Sequence, residues 1–412
     1  MLPVTASKVL IVEGVEEDPR MRARAERLRS GIRTGDVRRV TDEELNRIVR
    51  DELASRPHHG MADDIRPVVI LNRFRLDDPP QEQRRRIDAL PALRELKFNG
   101  YGGFDWRDSG SPAWRLEHGL VCQPAWQLHS IVGCHFRCAY CNFGHFLNVM
   151  MNMEDFVAHL DAYLERCPRQ TLFQYDNYTD TVCFEPEYGG AKLLVDYFAR
   201  RPGKALELYV GKSDHVDFLL DYDHRGHTVC CWSVGASTQS RRFERGSAAM
   251  EERIEAMAKC QRAGYAVRVR FSPIVPVRNW REENRRMMEL LFARVRPDVV
   301  TIETIRFLDY AAMAKSFDLA LLDEAFVRAM KEAAGKPFTH GCEVPDDFRR
   351  QVYAFFFEEL RRLSPDVPVA FCREKRDLWD HFAKEFARRG QTPDDYICNC
   401  GPTSAPAMAA QG

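Results

Sequence analysis

Hydrophobic and polar positions alternate most regularly in the middle of the chain. Six short runs rich in β-branched and aromatic residues recur there: LHSIVG, TLFQY, LELYV, TVCCWSV, AVRVRFSPI and VVTIETI. Segments with helical spacing lie between them, near 190–201, 214–221, 248–264 and 281–295. This alternation predicts parallel strands with helices packed outside. Six units favour an open, partial (β/α)6 barrel, in which the functional site lies at the carboxyl ends of the strands.

The sequence on either side of this block is less regular. KVLIVEG predicts a strand, residues 15–55 have helical spacing, and VVILNRF is a second apolar run. A loop rich in Gly, Asp and Ser, from about Asn99 to Trp114, indicates a boundary. We therefore expect an N-terminal α/β lead-in over 1–115, the partial barrel over 116–312 and a helical region over 313–412. The last of these ends in GPTSAPAMAAQG, which predicts a disordered tail.

Composition narrows the function classes. The chain has 412 residues, 45% of them hydrophobic and 29% charged, with a formal net charge of -1. A protein that holds long DNA mainly by neutralising phosphates is usually more basic, and the run Arg84–Arg86 is typical of a solvated helix face. No apolar run is long enough to span a membrane, and the N-terminus lacks the pattern of a signal peptide. We expect a cytoplasmic protein whose thirteen cysteines are reduced.

The strongest chemical signal is GCHFRCAYCNFG, which contains Cys134, Cys138 and Cys141. A structural zinc site usually takes four ligands in two separated pairs, although His135 or His145 would complete one here. Chance clustering of core cysteines fits this polar, aromatic loop less well. Three thiolates on one loop can instead hold three irons of a [4Fe–4S] cluster and leave the fourth iron open.

The CxxxCxxC spacing, with an aromatic residue before the third cysteine, resembles the signature of the radical S-adenosylmethionine superfamily. The resemblance implies that the open iron binds S-adenosylmethionine and that an electron from the cluster cleaves it to a 5′-deoxyadenosyl radical. It also implies an electron donor such as a flavodoxin or ferredoxin.

Two longer segments resemble the spore photoproduct lyase-like group within that superfamily. These are LYVGKSDHVDFLLDYDHRGHT and CWSVGASTQSRRFERGSAAMEERIEAMAKCQRAGYAVRVRFSPIVP. The resemblance implies that Lys212 contacts the methionine carboxylate and that Ser233 donates a hydrogen bond to the same ligand. It further assigns Thr179 and Asp180 to the amino group and ribose, and Tyr140 to the neighbourhood of the adenine. Helix capping, strand packing and core packing are the competing structural interpretations of these residues.

Two positions depart from the lyase pattern. The lyase has a cysteine, used as a hydrogen-atom donor, where this chain has Asn177, and a tyrosine where it has Asn142. We therefore prefer the hypothesis that the same radical initiator acts on a small-molecule or nucleoside-like substrate, and we assign no catalytic side chain. The alternatives are DNA repair of the spore photoproduct lyase type, with DNA as the partner, and a non-catalytic Fe–S protein.

Nine of the ten remaining cysteines, all but Cys183, divide into two groups. Cys372, Cys398 and Cys400 lie among polar, turn-forming neighbours, and three such thiols could hold an auxiliary iron–sulfur cluster. The competing interpretation is three unrelated thiols. Six others are expected to be structural, with at most one of the first two facing the site: Cys230, Cys231, Cys122, Cys167, Cys260 and Cys342.

Overall fold

The computed structural model describes residues 1–54, 66–97, 104–107, 117, 119, 121, 125–141, 143, 146–166, 168, 170–336, 344–392, 394–395 and 397–400. Several predictions therefore lie outside the described residues: those for Cys122, Asn142, His145, Cys167, Cys342 and the tail after residue 400. Among the helices that are described, none is long and apolar enough to cross a membrane.

The N-terminal part supplies a small parallel sheet and its covering helices. Its strands are β1 (Val4–Thr5), β2 (Lys8–Val12), β3 (Ile32–Arg33), β4 (Val37–Val40) and β5 (Val68–Asn72). Its helices are α1 (Pro19–Ser30), α2 (Asp42–Ile48) and α3 (Pro80–Ala89), with a π-helical turn at Val49–Leu53 and a 3-10 helix at Pro91–Leu96. The KVLIV and VVILN runs form β2 and β5, which pair in parallel and are almost wholly buried. Continuous apolar runs of this kind suit a sheet that is covered on both faces.

The middle part carries most of the larger sheet. Its strands are β6 (Phe104–Arg107), β7 (Ala125–Leu128), β8 (Ile131–Val132), β9 (Arg137–Cys138), β10 (Phe146–Met150), β11 (Leu172–Tyr175), β12 (Ala205–Gly211), β13 (Thr228–Ser233), β14 (Glu244–Arg245), β15 (Ala266–Ile274) and β16 (Val299–Thr304). Its α-helices are α4 (Met153–Ala158), α5 (Leu160–Arg166), α6 (Gly190–Phe198), α7 (Met250–Arg262) and α8 (Trp280–Arg294). Short helical turns occupy Thr181–Phe184, Asp217–Leu219 and Gln239–Phe243.

The C-terminal part is mainly helical but includes one strand. Its elements are α9 (Tyr310–Ser316), a 3-10 turn at Leu319–Leu321, α10 (Glu324–Ala333), α11 (Asp346–Leu363), β17 (Val369–Phe371), α12 (Arg376–His381) and α13 (Ala383–Ala387). The larger sheet has the order β17-β16-β15-β13-β12-β11-β7-β6. All neighbours pair in parallel except β6, which runs antiparallel to β7 at the edge.

This arrangement confirms the predicted α/β partial barrel, with a curled parallel sheet and a helical C-terminal region. The predicted count of six parallel strands is one too few, because β17 pairs with β16 beyond the expected end of the barrel. The first barrel strand is β7, slightly earlier than the LHSIVG run, whose Ile131 and Val132 form β8 instead.

A helix predicted near 214–221 is also wrong, since only the 3-10 turn Asp217–Leu219 forms there. Asp214, Asp217 and Asp221 repeat at the i,i+3 and i,i+4 spacings that would bring like charges together on a helix face. Such pairs destabilise a helix.

The loop that carries the three cysteines lies between the two sheets. Strands β8 and β10 leave the barrel and extend the N-terminal sheet, whose order is β4-β2-β5-β10-β8. Strand β9 pairs instead with β14, with Cys138 opposite Glu244. The loop is thus held by strands on both sides. The division into 1–115, 116–312 and 313–412 stays a prediction.

Candidate functional site

The candidate residues follow the carboxyl ends of neighbouring barrel strands. The cysteine loop comes after β7, Thr179 and Asp180 come after β11, Lys212 follows β12, and Ser233 is the last residue of β13. Carboxyl ends of parallel strands meet at one edge of a sheet, which is where open α/β folds bind ligands.

A glycine sets the entry to the cysteine loop. Gly133 has a φ of 100°, and a Cβ at this position would lie 1.9 Å from the carbonyl oxygen of Phe146. No other residue fits this close approach of two backbones without displacing one of them. The turn places Cys134 directly beyond the end of β8.

The thiols of the loop are buried or half-buried, and two of them accept backbone hydrogen bonds. The amide of Phe136 donates to Cys134 Sγ at 3.4 Å, and the amide of Phe143 donates to Cys141 Sγ at 3.4 Å. Burial raises the pKa of each thiol, and that of Cys138 reaches about 12 although Lys212 opposes the shift. In the described conformation, no three Cys, His, Asp or Glu side chains among the described residues are arranged to hold a metal ion, so the loop thiols would have to turn towards a shared cluster.

One cavity brings the cysteines together with most of the predicted cofactor residues. It has a volume of about 130 Å³. The predicted residues that line it are Cys134, Cys138, Cys141, Tyr140, Thr179, Asp180 and Lys212. Ser233 lines an adjoining cavity of about 310 Å³, which shares Thr179, Lys212 and Asn177 with the first. The two spaces together are the candidate site.

Several polar atoms at this site have no hydrogen-bond partner in the part of the chain that the structure describes. Asp180 Oδ2 accepts a hydrogen bond from the backbone amide of Lys212 at 2.7 Å. Asp180 Oδ1 and Thr179 Oγ1 are buried without any hydrogen-bond partner among the described residues. Burial raises the pKa of Asp180 to about 7. Unsatisfied buried oxygens are costly, and they indicate that a polar ligand completes the site.

The cation of the site is likewise available. Lys212 Nζ lies 5.6 Å from the centroid of the Tyr140 ring, and it forms no hydrogen bond or ion pair with the residues described. The hydroxyl of Ser233 also has no hydrogen-bond partner in the described part of the chain. An ammonium and a hydroxyl lining one space suit a ligand that carries a carboxylate.

A buried polar network that the sequence analysis missed supports Tyr140. Its hydroxyl donates to Glu244, which also accepts from Gln239 Nε2 at 2.9 Å and pairs with Arg253 Nη2 at 2.6 Å. Burial alone would raise the pKa of Glu244, but Arg253 and Lys212 hold it at about 2. Glu244 and Arg253 both lie within FERGSAAMEERIEA, a part of the second segment that resembles the lyase group. A signal was therefore present, but charged residues in a polar segment look like surface positions.

The predicted C-terminal cysteines also reach the barrel. Cys372 and Cys400 line the 310 Å³ cavity that contains Ser233. Cys398 Sγ lies 3.7 Å from Cys400 Sγ, and both are buried. No sequence pattern predicted that this segment returns to the strand ends.

Asn399, between these two cysteines, anchors the segment inside the sheet. Its side-chain amide donates to the Tyr209 hydroxyl at 3.0 Å, and its backbone oxygen accepts from Arg268 Nη1 at 3.0 Å. Its Oδ1 accepts from Cys231 Sγ at 3.7 Å. Cys231 thus faces the barrel interior.

The donor set fits an iron–sulfur cluster with S-adenosylmethionine. Three thiols, two unsatisfied oxygens and an available ammonium line one space, and Gly211 keeps that space open because a Cβ there would lie 2.5 Å from Asp180 Oδ2. An open parallel barrel with a three-cysteine loop after its first strand is the arrangement of the radical S-adenosylmethionine class.

Comparison with known proteins refines this class. Residues 125–317 match the family model described as "Spore photoproduct lyase". The chain is 31% identical over 184 residues to the spore photoproduct lyase of Bacillus subtilis (strain 168), covering 42% of this chain and 54% of the relative. It is 24% identical over 178 residues to that of Clostridium acetobutylicum, covering 41% and 53%. The chain thus spans about half the length of these curated relatives. The predicted resemblance to the spore photoproduct lyase-like group is confirmed.

Solved structures show the same fold. A spore photoproduct lyase mutant with dinucleoside spore photoproduct has a TM-score of 0.64 and 18% identity, covering 90% of this chain and all of that one. A second mutant, with bound AdoMet and dinucleoside spore photoproduct, has a TM-score of 0.60 and 17% identity, covering 90% of this chain and 98% of the other.

Proposed function

We propose that this protein is a radical S-adenosylmethionine enzyme of the spore photoproduct lyase type. The observation that carries the proposal is the single cavity lined by three thiols, the unsatisfied Thr179 and Asp180 oxygens, and Lys212. When bound, a [4Fe–4S] cluster supplies the electron that releases a 5′-deoxyadenosyl radical from S-adenosylmethionine. Cys134, Cys138 and Cys141 would hold that cluster.

The remaining residues of the site would bind and orient S-adenosylmethionine. Lys212 would pair with its carboxylate, because no other anion engages that ammonium among the described residues. The side-chain oxygens of Asp180 and Thr179 would form hydrogen bonds with its amino group and ribose. Ser233 would donate to the same ligand, and Tyr140, fixed through its hydroxyl, would pack near the adenine.

For the substrate we propose a cross-linked pyrimidine dinucleotide in DNA. The family model and the curated relatives are spore photoproduct lyases, and three of the similar structures are lyases with dinucleoside spore photoproduct. These comparisons favour the DNA-repair hypothesis over the small-molecule hypothesis preferred from the sequence. The overall charge of -1 does not weigh against it, since Lys212, Arg270 and Arg373 line the cavity locally.

A small-molecule or nucleoside-like substrate remains the second candidate, and one observation favours it. Asn177 lines both parts of the site, where the lyase pattern has a cysteine. An amide has no weak S–H bond from which a hydrogen atom can be taken. An electron donor such as flavodoxin or ferredoxin and an auxiliary cluster on Cys372, Cys398 and Cys400 belong to either version of the proposal.

Methionine and 5′-deoxyadenosine release by the anaerobically reconstituted, chemically reduced protein tests the enzyme proposal. We expect both products from the wild type and neither from Cys138→Ala. Cys260→Ala is the matched control, because Cys260 is equally buried but lies on α7. No product from the wild type, with Cys138→Ala behaving identically, would refute the enzyme proposal and leave the non-catalytic Fe–S protein.

Dinucleoside spore photoproduct then separates the two substrate hypotheses. Recovery of thymine units from it, dependent on S-adenosylmethionine, would support repair. Release of 5′-deoxyadenosine with the lesion left intact would instead favour the small-molecule hypothesis.

A further inference from the structure

An exposed aromatic ring and a guanidinium that pairs with no carboxylate of the described residues lie together at the mouth of the site. Phe307 is 47% exposed, which makes it and Val37 the exposed large hydrophobic residues among those described. The Arg373 guanidinium carbon lies 4.8 Å from the centroid of the Phe307 ring. Exposed aromatic rings beside the functional cavity of a protein need an explanation that scattered surface residues do not.

Neighbouring strands bring the two residues together. Phe307 follows β16 and Arg373 follows β17, and these strands pair in parallel with Ile302 opposite Phe371. Both side chains therefore emerge at the carboxyl edge of the sheet. Both line the 310 Å³ cavity and an outer cavity of about 530 Å³, so they form the wall shared by the two spaces.

Each residue also has an unfavourable backbone conformation. Phe307 has a φ of 58° and Arg373 a φ of 57°, in the left-handed region that bulky side chains seldom adopt. Residues held in this region cluster at ligand-binding sites. The conformation directs both side chains to the cavity wall. It does not serve core packing, because the Phe307 ring stays half exposed.

The charges of the cavity single out Arg373. Arg270 is engaged by Glu303 Oε2 at 3.4 Å and by the Tyr209 hydroxyl at 3.2 Å. Lys212 is assigned to S-adenosylmethionine. Arg373 forms no hydrogen bond or ion pair within the described part of the chain. Its guanidinium instead makes a cation–π contact with the Phe307 ring. Arg373 is therefore a cation that no anion among the described residues engages, on the substrate side of the site.

We propose that Phe307 and Arg373 form a nucleotide clamp that positions the substrate. A base stacks on the open face of Phe307, while the guanidinium that covers the other face donates to the neighbouring phosphate. Base stacking on aromatic rings and forked guanidinium contacts to phosphate are the two recurring means of holding single-stranded nucleic acid. The proposal deepens the proposed function and rests on it for the identity of the substrate.

Binding of a fluorescein-labelled single-stranded oligothymidylate to the reconstituted protein, followed by fluorescence anisotropy, tests the clamp. Phe307→Leu keeps an apolar side chain without a flat ring, and we expect it to weaken binding about tenfold, within the range that stacking of one base supplies. Phe307→Tyr should bind as the wild type does. Arg373→Ala should weaken binding by a similar factor and lower the salt dependence by about 0.7 of a logarithmic unit per unit of log salt, as loss of one phosphate contact requires.

The controls are the other exposed hydrophobic residue and an exposed arginine in the N-terminal part, as Val37→Ala and Arg85→Ala. Both should leave affinity and salt dependence unchanged. Thermal unfolding of each variant establishes that it is folded, and Arg373→Gln replaces Arg373→Ala if the latter is not. Equal affinity of clamp and control variants, or no oligothymidylate binding by the wild type, would overturn the clamp. Failure of the wild type to cleave S-adenosylmethionine would instead overturn the proposed function, whatever its affinity for oligothymidylate.

Discussion

The carboxylate of Asp180 accepts a hydrogen bond from the backbone amide of Lys212 at 2.7 Å. This bond joins the end of β12 to the loop after β11, and it uses only one oxygen of the carboxylate. The second oxygen remains buried without a protein partner in the described residues, and the side chain of Lys212 is free to turn to a ligand. One contact thus fixes both residues and leaves their ligand-binding groups unused.

Gly211→Ala should disrupt this arrangement selectively. A Cβ at position 211 would lie 2.5 Å from Asp180 Oδ2, at a φ of 73°. Gly203 has a φ of 70° and nothing within 4 Å, so Gly203→Ala carries the same backbone penalty of about 1 kcal/mol without the clash. Both variants should lose similar stability from the backbone, but Gly211→Ala alone should lose S-adenosylmethionine affinity, by about tenfold or more. Calorimetric titration would measure the affinity for S-adenosylmethionine, and equal affinities of the two variants would contradict the role given to Asp180.

The affinity for S-adenosylmethionine should increase with pH. Burial raises the pKa of Asp180 to about 7, so the carboxyl is largely protonated below that pH, and the ionised form that accepts hydrogen bonds from the ligand's amino group grows as pH rises through 7. Binding should therefore release a proton and strengthen between about pH 6 and pH 8, where the ligand's amino group also begins to titrate. Asp180→Asn should remove the part of this pH dependence that is due to the carboxyl. Identical pH profiles for wild type and Asp180→Asn would contradict the assignment.

Three buried carboxyls should make the ligand-free protein less stable as pH rises from about 4 to 7. Burial raises the folded-state pKa values of Asp180, Glu185 and Glu207 to about 7. At these three carboxyls the folded state therefore binds more protons than the unfolded state between about pH 4 and pH 7, and their contribution to the free energy of unfolding falls as pH rises through that window. Urea unfolding at several pH values measures this trend. Adding S-adenosylmethionine should reduce the part due to Asp180, because the ligand favours its ionised form.

The network beneath Tyr140 should be more important for stability than any surface ion pair. Arg253 and Glu244 are both buried and 2.6 Å apart, so Arg253→Met would leave the carboxylate uncompensated at a cost of about 3–5 kcal/mol. Arg241→Ala is the control, since its pair with Glu251 is exposed and worth at most about 1 kcal/mol. Urea unfolding near neutral pH compares the two. Equal losses would show that the buried pair has no special role.

Sequence reasoning succeeded where a motif and a topological rule agreed. The cysteine loop, assigned from its spacing, and Asp180 and Lys212, assigned from the resemblance, line one cavity because each follows a barrel strand and parallel strands present their carboxyl ends together. Their roles stay predictions. Sequence reasoning failed for short segments whose structure depends on contacts with distant parts of the chain. Strand β17 has only three residues, VAF, between helices, and Asn399 reaches the barrel through contacts separated by more than 100 positions in the chain. Neither local propensity nor periodicity contains such information.

An iron count will decide whether the C-terminal cysteines hold an auxiliary cluster. Cys398 Sγ and Cys400 Sγ are 3.7 Å apart, and both thiols are buried. Cys372 lines the same cavity as Cys400. If the cluster exists, the reconstituted wild type should contain about eight irons per chain and Cys400→Ser about four. Cys260→Ser, at a buried thiol on α7, should retain the wild-type count. About four irons in the wild type, unchanged in Cys400→Ser, would contradict the auxiliary cluster while leaving the site at Cys134, Cys138 and Cys141 intact.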